Sequence, residues 1–113
     1  MIIGTHTVVA SKDPEADHKF FRDVLGLKSV DAGGGYVIFG LPASEASVHK
    51  SEGNVPHHEL YFLSEDIDAF KTSLAEKNIE CSEIQDTGWG RLVKLTLPSG
   101  APLQVYQPRH ERP

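Results

Sequence analysis

Two stretches of this chain follow the same plan 53 residues apart, and that repeat limits what the chain can fold into more than any other feature. Each stretch opens with an apolar run, continues to an aspartate placed to start a helix, and then carries an apolar helical face. The aspartates are Asp13 and Asp66 (66 − 13 = 53), and the same offset relates Ala16 to Ala69 and Val9 to Phe62. The turns Leu41-Pro42-Ala43-Ser44 and Leu97-Pro98-Ser99-Gly100 recur at a slightly longer offset (97 − 41 = 56). A self-similar chain of this kind consists of units too small to bury both faces alone, so the units must pair to make one core.

The local signals give each unit an order of elements. Residues 3–10 alternate as a strand. Asp13, Pro14 and Glu15 then supply a cap, a residue suited to the first helical position and a charge that complements the helix dipole. Ala16, Phe20, Phe21, Val24 and Leu25 fall on one helical face, and Gly26 is placed to end the helix in the left-handed conformation. Strands follow near 28–32, 35–41 and 45–51, separated by Gly33, Gly34 and Gly35 and by Pro42, Ala43 and Ser44. The pattern restarts with a strand over 58–64. Asp66 opens a second helix that turns Ile67, Phe70 and Leu74 inward, and Asn78 sits where it should stop. Strands near 80–86, 90–97 and 102–107 complete the second unit. The expectation is a single α+β domain over 1–113. It has tandem βαβββ modules over 2–52 and 57–107, a cupped mixed sheet, helices outside and side chains lining a hollow.

Composition narrows the function. The 113 residues are 39% hydrophobic, and no apolar run approaches the roughly 20 residues that cross a bilayer. The opening residues lack the basic and apolar regions of a signal peptide. Cys81 is the lone cysteine and can make no internal disulfide, which with the rest points to a soluble cytoplasmic protein with no membrane partner. A net charge of −5 argues against a nucleic-acid surface and leaves room for a cationic ligand.

Taken in order, these pieces resemble the vicinal oxygen chelate superfamily, which includes glyoxalase I, extradiol dioxygenases, fosfomycin-resistance enzymes and bleomycin-binding proteins. The segment HTVVASKDPEADHKFFRDVLGL, from His6 to Leu27, is similar to the family's leading strand and first helix with its Leu-Gly-Leu ending. ELYFLSEDIDAFKTSLAEKNIE is similar to the strand and helix that open the second module. The pair Trp89-Gly90 and the segment LPSGAPLQVYQP resemble the final hairpin, with Leu-Pro-Ser-Gly where the family often has Asp-Pro-Asp-Gly. The resemblance implies the glyoxalase/bleomycin resistance/dihydroxybiphenyl dioxygenase fold, a small-molecule ligand and a homodimer. It does not select an activity, because such folds host unrelated chemistries.

It also implies where a metal would sit. Metal-binding relatives take a ligand from the first and last strand of each module, which here gives His6, His49, Glu59 and Gln104. The 53-residue offset places Glu59 opposite His6, and strand alternation turns His49 and Gln104 away from the helix side. Two imidazoles and a carboxylate suit Fe, Zn, Ni or Mn with positions open for a chelating substrate, and Glu59 is then the general base. The set departs from the glyoxalase-like pattern of Glu, His and Glu at the last three positions, which read His49, Glu59 and Gln104 here. The missing carboxylate weakens the hold on a hard cation. A metal-free pocket with polar lining is the other reading of the same four residues. His57 and His58 compete with Glu59, since a one-residue change of register swaps the side chain that faces the hollow. Tyr61 and Tyr106 share faces with Glu59 and Gln104. Trp89 stands at a hairpin where its ring can cover the pocket mouth, and Arg91 is a candidate for an anionic ligand group or a solvated strand charge. His18 and His110 are expected at the surface, Cys81 as an unreactive thiol, and the residues after Pro108 as a frayed tail.

Overall fold

A computed structural model of the chain describes Thr7, Val9, Ser47 and residues 11–34, 36–45 and 58–111. The expected strands over 3–10 and 45–51, with His6 and His49, and the competing His57, lie wholly or largely outside those residues. The described elements are α1 (Pro14–Asp23), β1 (Ser29–Asp31), β2 (Val37–Phe39), β3 (Tyr61–Leu63), α2 (Ile67–Glu76), β4 (Gln85–Asp86), β5 (Gly90–Thr96) and β6 (Pro102–Pro108).

The two helices start and stop by the same devices. The Asp13 carboxylate accepts from the Ala16 N–H at 3.2 Å, and the Asp66 carboxylate accepts from the Ala69 N–H at 3.0 Å. Each cap is itself held from two residues upstream, where the Ser11 and Ser64 hydroxyls accept from the Asp13 and Asp66 N–H groups. At the far ends Gly26 (φ 68°) and Asn78 (φ 58°) both take the left-handed conformation. Lys77, at the cap of α2, donates from Nζ to the Val24 carbonyl at the cap of α1 across 3.0 Å, so the two equivalent helix ends meet.

The strands form a two-stranded antiparallel ribbon, β1–β2, and a four-stranded mixed sheet in the order β3-β6-β5-β4. β3 runs parallel to β6, and the other pairs are antiparallel. β4 is shorter than the expected strand over 80–86: Cys81 makes an isolated bridge to Leu95, and Ser82 pairs with Lys94 through its N–H and hydroxyl. Alternation on the long strands separates two faces. Val93 and Leu95 of β5 and Leu103 and Val105 of β6 pack with Phe20 of α1 and Ile67 and Leu74 of α2 into the buried core. Each such side chain contributes on the order of 2 kcal/mol through removal from water. The ribbon reaches this core through Phe39, whose ring meets Phe21 edge-on at 5.4 Å. His18, expected at the surface, is half-buried and tilts against the same Phe39.

One polar group ties the modules together from inside. Asp17 of α1 is only 5% exposed and accepts from the backbone N–H of Ser99, in the β5–β6 turn, at 3.0 Å. Its second oxygen, Oδ2, is buried without a hydrogen bond. Burial pushes the Asp17 pKa up, but the Ser99 and Ser11 hydroxyls, the Ser99 N–H and the positive field of His18 outweigh it, so the carboxyl ends below the ordinary value. A folded-state pKa below the unfolded one means that the stabilisation is present above the unfolded value and is lost as pH falls through the folded one. Asp17→Ala, which strands a buried N–H, should therefore destabilise the fold by about 2 kcal/mol in urea unfolding at neutral pH. The difference between wild type and Asp17→Ala should shrink as the pH is taken below 4, and a difference constant with pH contradicts this account.

Candidate functional site

The face of the mixed sheet away from the helices is set by β3 and β6. In the parallel register Tyr61 lies beside Gln104 and Leu63 beside Tyr106, while Phe62 and Val105 turn to the core. Glu59 precedes Tyr61 by two residues and so keeps to the same side. The Tyr61 hydroxyl reaches the Glu59 carboxylate at 3.5 Å, the outer limit of a hydrogen bond. Burial, the Glu59 charge and that contact raise the Tyr61 pKa, while the nearby Gln104 side chain pulls it the other way. Glu59 and Gln104 thus both lie beside the Tyr61 hydroxyl.

Three rings meet on this face. Trp89 and Tyr106 stand at 89° with centroids 4.9 Å apart, Tyr61 and Tyr106 at 88° and 5.6 Å, and Tyr61 and Trp89 at 78° and 5.9 Å. Edge-to-face contacts of this kind let the positive edge of one ring meet the negative face of the next. The cluster is self-supporting, yet Trp89 remains 43% exposed. Its position comes from the turn between β4 and β5. Gly88 takes φ 83° and donates to Asp86, and Thr87 binds the Gly90 carbonyl through both its N–H and its hydroxyl. Gly90 is needed for a different reason: a Cβ there would lie 2.7 Å from the Tyr106 ring and 2.8 Å from the Gln107 carbonyl.

Arg91, a candidate for an anionic ligand, is directed elsewhere. It points to the helix side and forks onto Asp68 in the first turn of α2, at 2.6 and 3.1 Å. That contact holds the Asp68 carboxyl below its usual range. Gln107, its register partner on β6, faces the same way and accepts from the Ile67 N–H at 2.9 Å. His58 is exposed and just precedes Glu59. Sequence reasoning missed His110, whose Nε2 lies 3.0 Å from the Tyr106 hydroxyl. The residues beyond Pro108 were expected to fray, but Arg109 and His110 are both bonded to the sheet. The only signal for this was an Arg-His pair following a strand that carries Tyr106 near its end.

As a metal site, the described donors are incomplete. Glu59 and Gln104 give one carboxylate and one neutral amide, and no group of three His, Cys, Asp or Glu side chains gathers among the described residues. One carboxylate and one amide are too little to hold a divalent cation. His6 and His49, which would complete the set, fall outside the described residues. A separate open cleft of about 530 Å³, lined by Phe20, Ile79, Cys81, Ser82 and Lys94 among others, shares no residue with the aromatic cluster.

A mixed sheet with helices on one face and polar and aromatic side chains on the other defines the fold class, the fold found in glyoxalase/bleomycin-resistance proteins. Lactoylglutathione lyase from Agrobacterium tumefaciens superposes with a TM-score of 0.69 at 22% identity, over 94% of this chain and 92% of that one. An antibiotic-binding protein from Streptomyces sp. CB03234 superposes with a TM-score of 0.65 at 19% identity, over 96% and 98%. In sequence the chain is similar to a manganese-dependent 2,3-dihydroxybiphenyl 1,2-dioxygenase from Geobacillus genomosp. 3, at 24% identity over 89% of this chain. The chain spans 35% of that protein's length. No family model matches the sequence. Among the described residues no helix is long and apolar enough to cross a membrane.

Two measurements check the geometry of the cluster. Gly90→Ala should push the Tyr106 ring off Trp89 and diminish the near-ultraviolet circular dichroism of the aromatic side chains, leaving the far-ultraviolet spectrum intact; an unchanged near-ultraviolet signal contradicts the packing described. In an alkaline absorbance titration Tyr61 should ionise later than a free tyrosine. Glu59→Gln should recover only part of the shift, because burial is its larger cause.

Proposed function

We propose that this protein binds a small organic molecule in the hollow of its sheet, packed on the Tyr61, Trp89 and Tyr106 rings. The observation that carries the reading is the exposed Trp89 ring, held by two perpendicular tyrosines beside the Glu59 carboxylate. Aromatic faces and a nearby negative charge favour a planar aromatic or organic cation, and the chain's net charge of −5 works in the same direction. The fold is shared with an antibiotic-binding protein, which supports sequestration of a drug or metabolite without a metal. A thermal-shift screen should find planar aromatic or cationic compounds that raise the melting temperature and quench the emission of Trp89, the chain's one tryptophan. Tyr106→Ala should weaken a compound found this way by about tenfold, as expected for losing one aromatic contact. A screen in which only metal salts raise the melting temperature counts against this reading.

A second reading is favoured by the similarity to a manganese-dependent dioxygenase and by Glu59 standing 53 residues after His6. Here His6, His49, Glu59 and Gln104 hold a divalent Fe, Zn, Ni or Mn ion, and the protein is a metal-dependent enzyme of the glyoxalase or dioxygenase type acting on a small oxygen-rich substrate. The ion supplies Lewis acidity, and Glu59 is the residue placed to move a proton. Metal analysis of freshly purified protein separates the two readings, since this one requires close to one ion per chain. Under either reading we propose a cytoplasmic homodimer. The exposed Val30, Tyr36 and Leu41 on and beside the β1–β2 ribbon support it, and light scattering should give twice the 12.4 kDa chain mass.

A further inference from the structure

β5 brings its own side chains to the face that carries the rings. Val93 and Leu95 belong to the core among the helices, so Leu92 and Lys94, which alternate with them, turn to the other face. The register agrees. Leu92 pairs with Tyr106 and Lys94 with Gln104, and Gln104 pairs in turn with Tyr61 on β3. Leu92 is only 5% exposed although it lies outside the helix-side core, so it makes an apolar floor beside Tyr106. Lys94, two residues on, is exposed. It is a diagonal neighbour of Tyr106, roughly 7–8 Å away along the sheet and within reach of a long side chain.

The Lys94 ammonium is not held by another part of the fold. Arg91 forks onto Asp68, Arg109 onto Asp86, Lys71 meets Glu83, and Lys77 donates to the Val24 carbonyl. Among the described residues no carboxylate stands against Lys94, whose hydrogen bond to the Ser82 hydroxyl is made by the backbone N–H. A lone ammonium on a strand is ordinarily a solvated charge. Lys94 differs in what it faces. Glu59 and Lys94 lie on opposite sides of Gln104, with Lys94 about 10 Å from Tyr61 across two strand spacings. Their fields act in one direction across the hollow: an anionic group is drawn toward β5 and repelled from the Glu59 end of β3.

We propose that Lys94 is the anion-binding end of the hollow and that the ligand is a planar aromatic carboxylate, its ring on the Trp89 cluster and its carboxylate at Lys94. The assignment rests on the hollow being the binding site and narrows the planar aromatic class to one that carries a negative group at one end. Glu59 then acts as an orienting charge, which excludes the reversed pose.

The test is a matched pair of probes, naphthoate and the neutral amide of the same ring, naphthamide, titrated by calorimetry into the full-length protein. Wild type should bind naphthoate about fivefold more tightly than naphthamide, the size expected of one exposed charge pair, and added salt should narrow that ratio. Lys94→Met should bring the ratio close to one, and Lys94→Arg should keep it. Tyr106→Ala should weaken both compounds together. Equal binding of the two compounds by wild type overturns the proposal, and so does a ratio that survives Lys94→Met. A ratio that depends on Lys94 while Tyr106→Ala affects neither compound also overturns it, because the carboxylate would then lie in the open cleft that Lys94 borders. Naphthamide binding with no preference for naphthoate defeats the carboxylate assignment alone, whereas a protein that binds neither compound defeats it together with the aromatic reading of the hollow.

Discussion

The parallel pairing of β3 with β6 is the constraint on which the rest of this molecule depends. It joins residues more than 40 positions apart and places Tyr61 beside Gln104 and Leu63 beside Tyr106. Because side chains alternate along a strand, this one register puts Phe62 and Val105 among the helices and sends Tyr61, Gln104 and Tyr106 to the other side. A slip of one residue would bury a glutamine and a tyrosine hydroxyl against Ile67 and Leu74 and expose the core residues. The cost of burying those polar groups without partners is what holds the register in place. The face that carries Tyr61, Gln104 and Tyr106 is therefore set by core formation, since the register that buries Phe62 and Val105 turns those three side chains away from the helices.

The helices could be read from the chain because their signals are local. Asp13 and Asp66 cap N–H groups three residues on, and Gly26 and Asn78 end helices by their own backbone angles. The offset of 53 relates Asp13 to Asp66, the helix ends Gly26 and Asn78 fall one residue short of it (78 − 26 = 52), and the structure extends the offset of 53 to Ser11 and Ser64 and to Val24 and Lys77. Sheet faces were nearly as legible, since alternation alone assigned Gln104 and Tyr106 to the hollow. What stayed hidden has partners far away in sequence. Asp17 has the composition of any first-turn acid, and nothing near it in the chain marks Ser99, 82 residues on, as its partner. Arg91 is a lone basic residue on a strand, equally suited to a ligand or to a helix-side carboxylate, and only the position of α2 gives it to Asp68. His110 stands two residues after Pro108, between charged residues, which is the composition of a loose end, and its tie to Tyr106 depends on the strand carrying it past the hairpin.

The position of Gln104 also bears on what the hollow can hold. Tyr61 sits between Glu59, which raises its pKa, and Gln104, which lowers it. A glutamate at 104 would put a second negative charge against the same hydroxyl, and two carboxylates at that spacing demand a cation or a shared proton. The amide removes that demand. With one net charge in place of two, the hollow tolerates either an organic cation on the rings or neutral lining with water. The nearest rings are held in contact with one another, at centroid separations of 4.9 to 5.9 Å, and leave no slot between them. A ligand of the kind proposed would therefore have to stack on the outer face of the cluster, where Trp89 is exposed, or displace a ring. The packing of the cluster thus turns on Tyr106, whose ring meets both Tyr61 and Trp89 and depends on the absence of a side chain at Gly90.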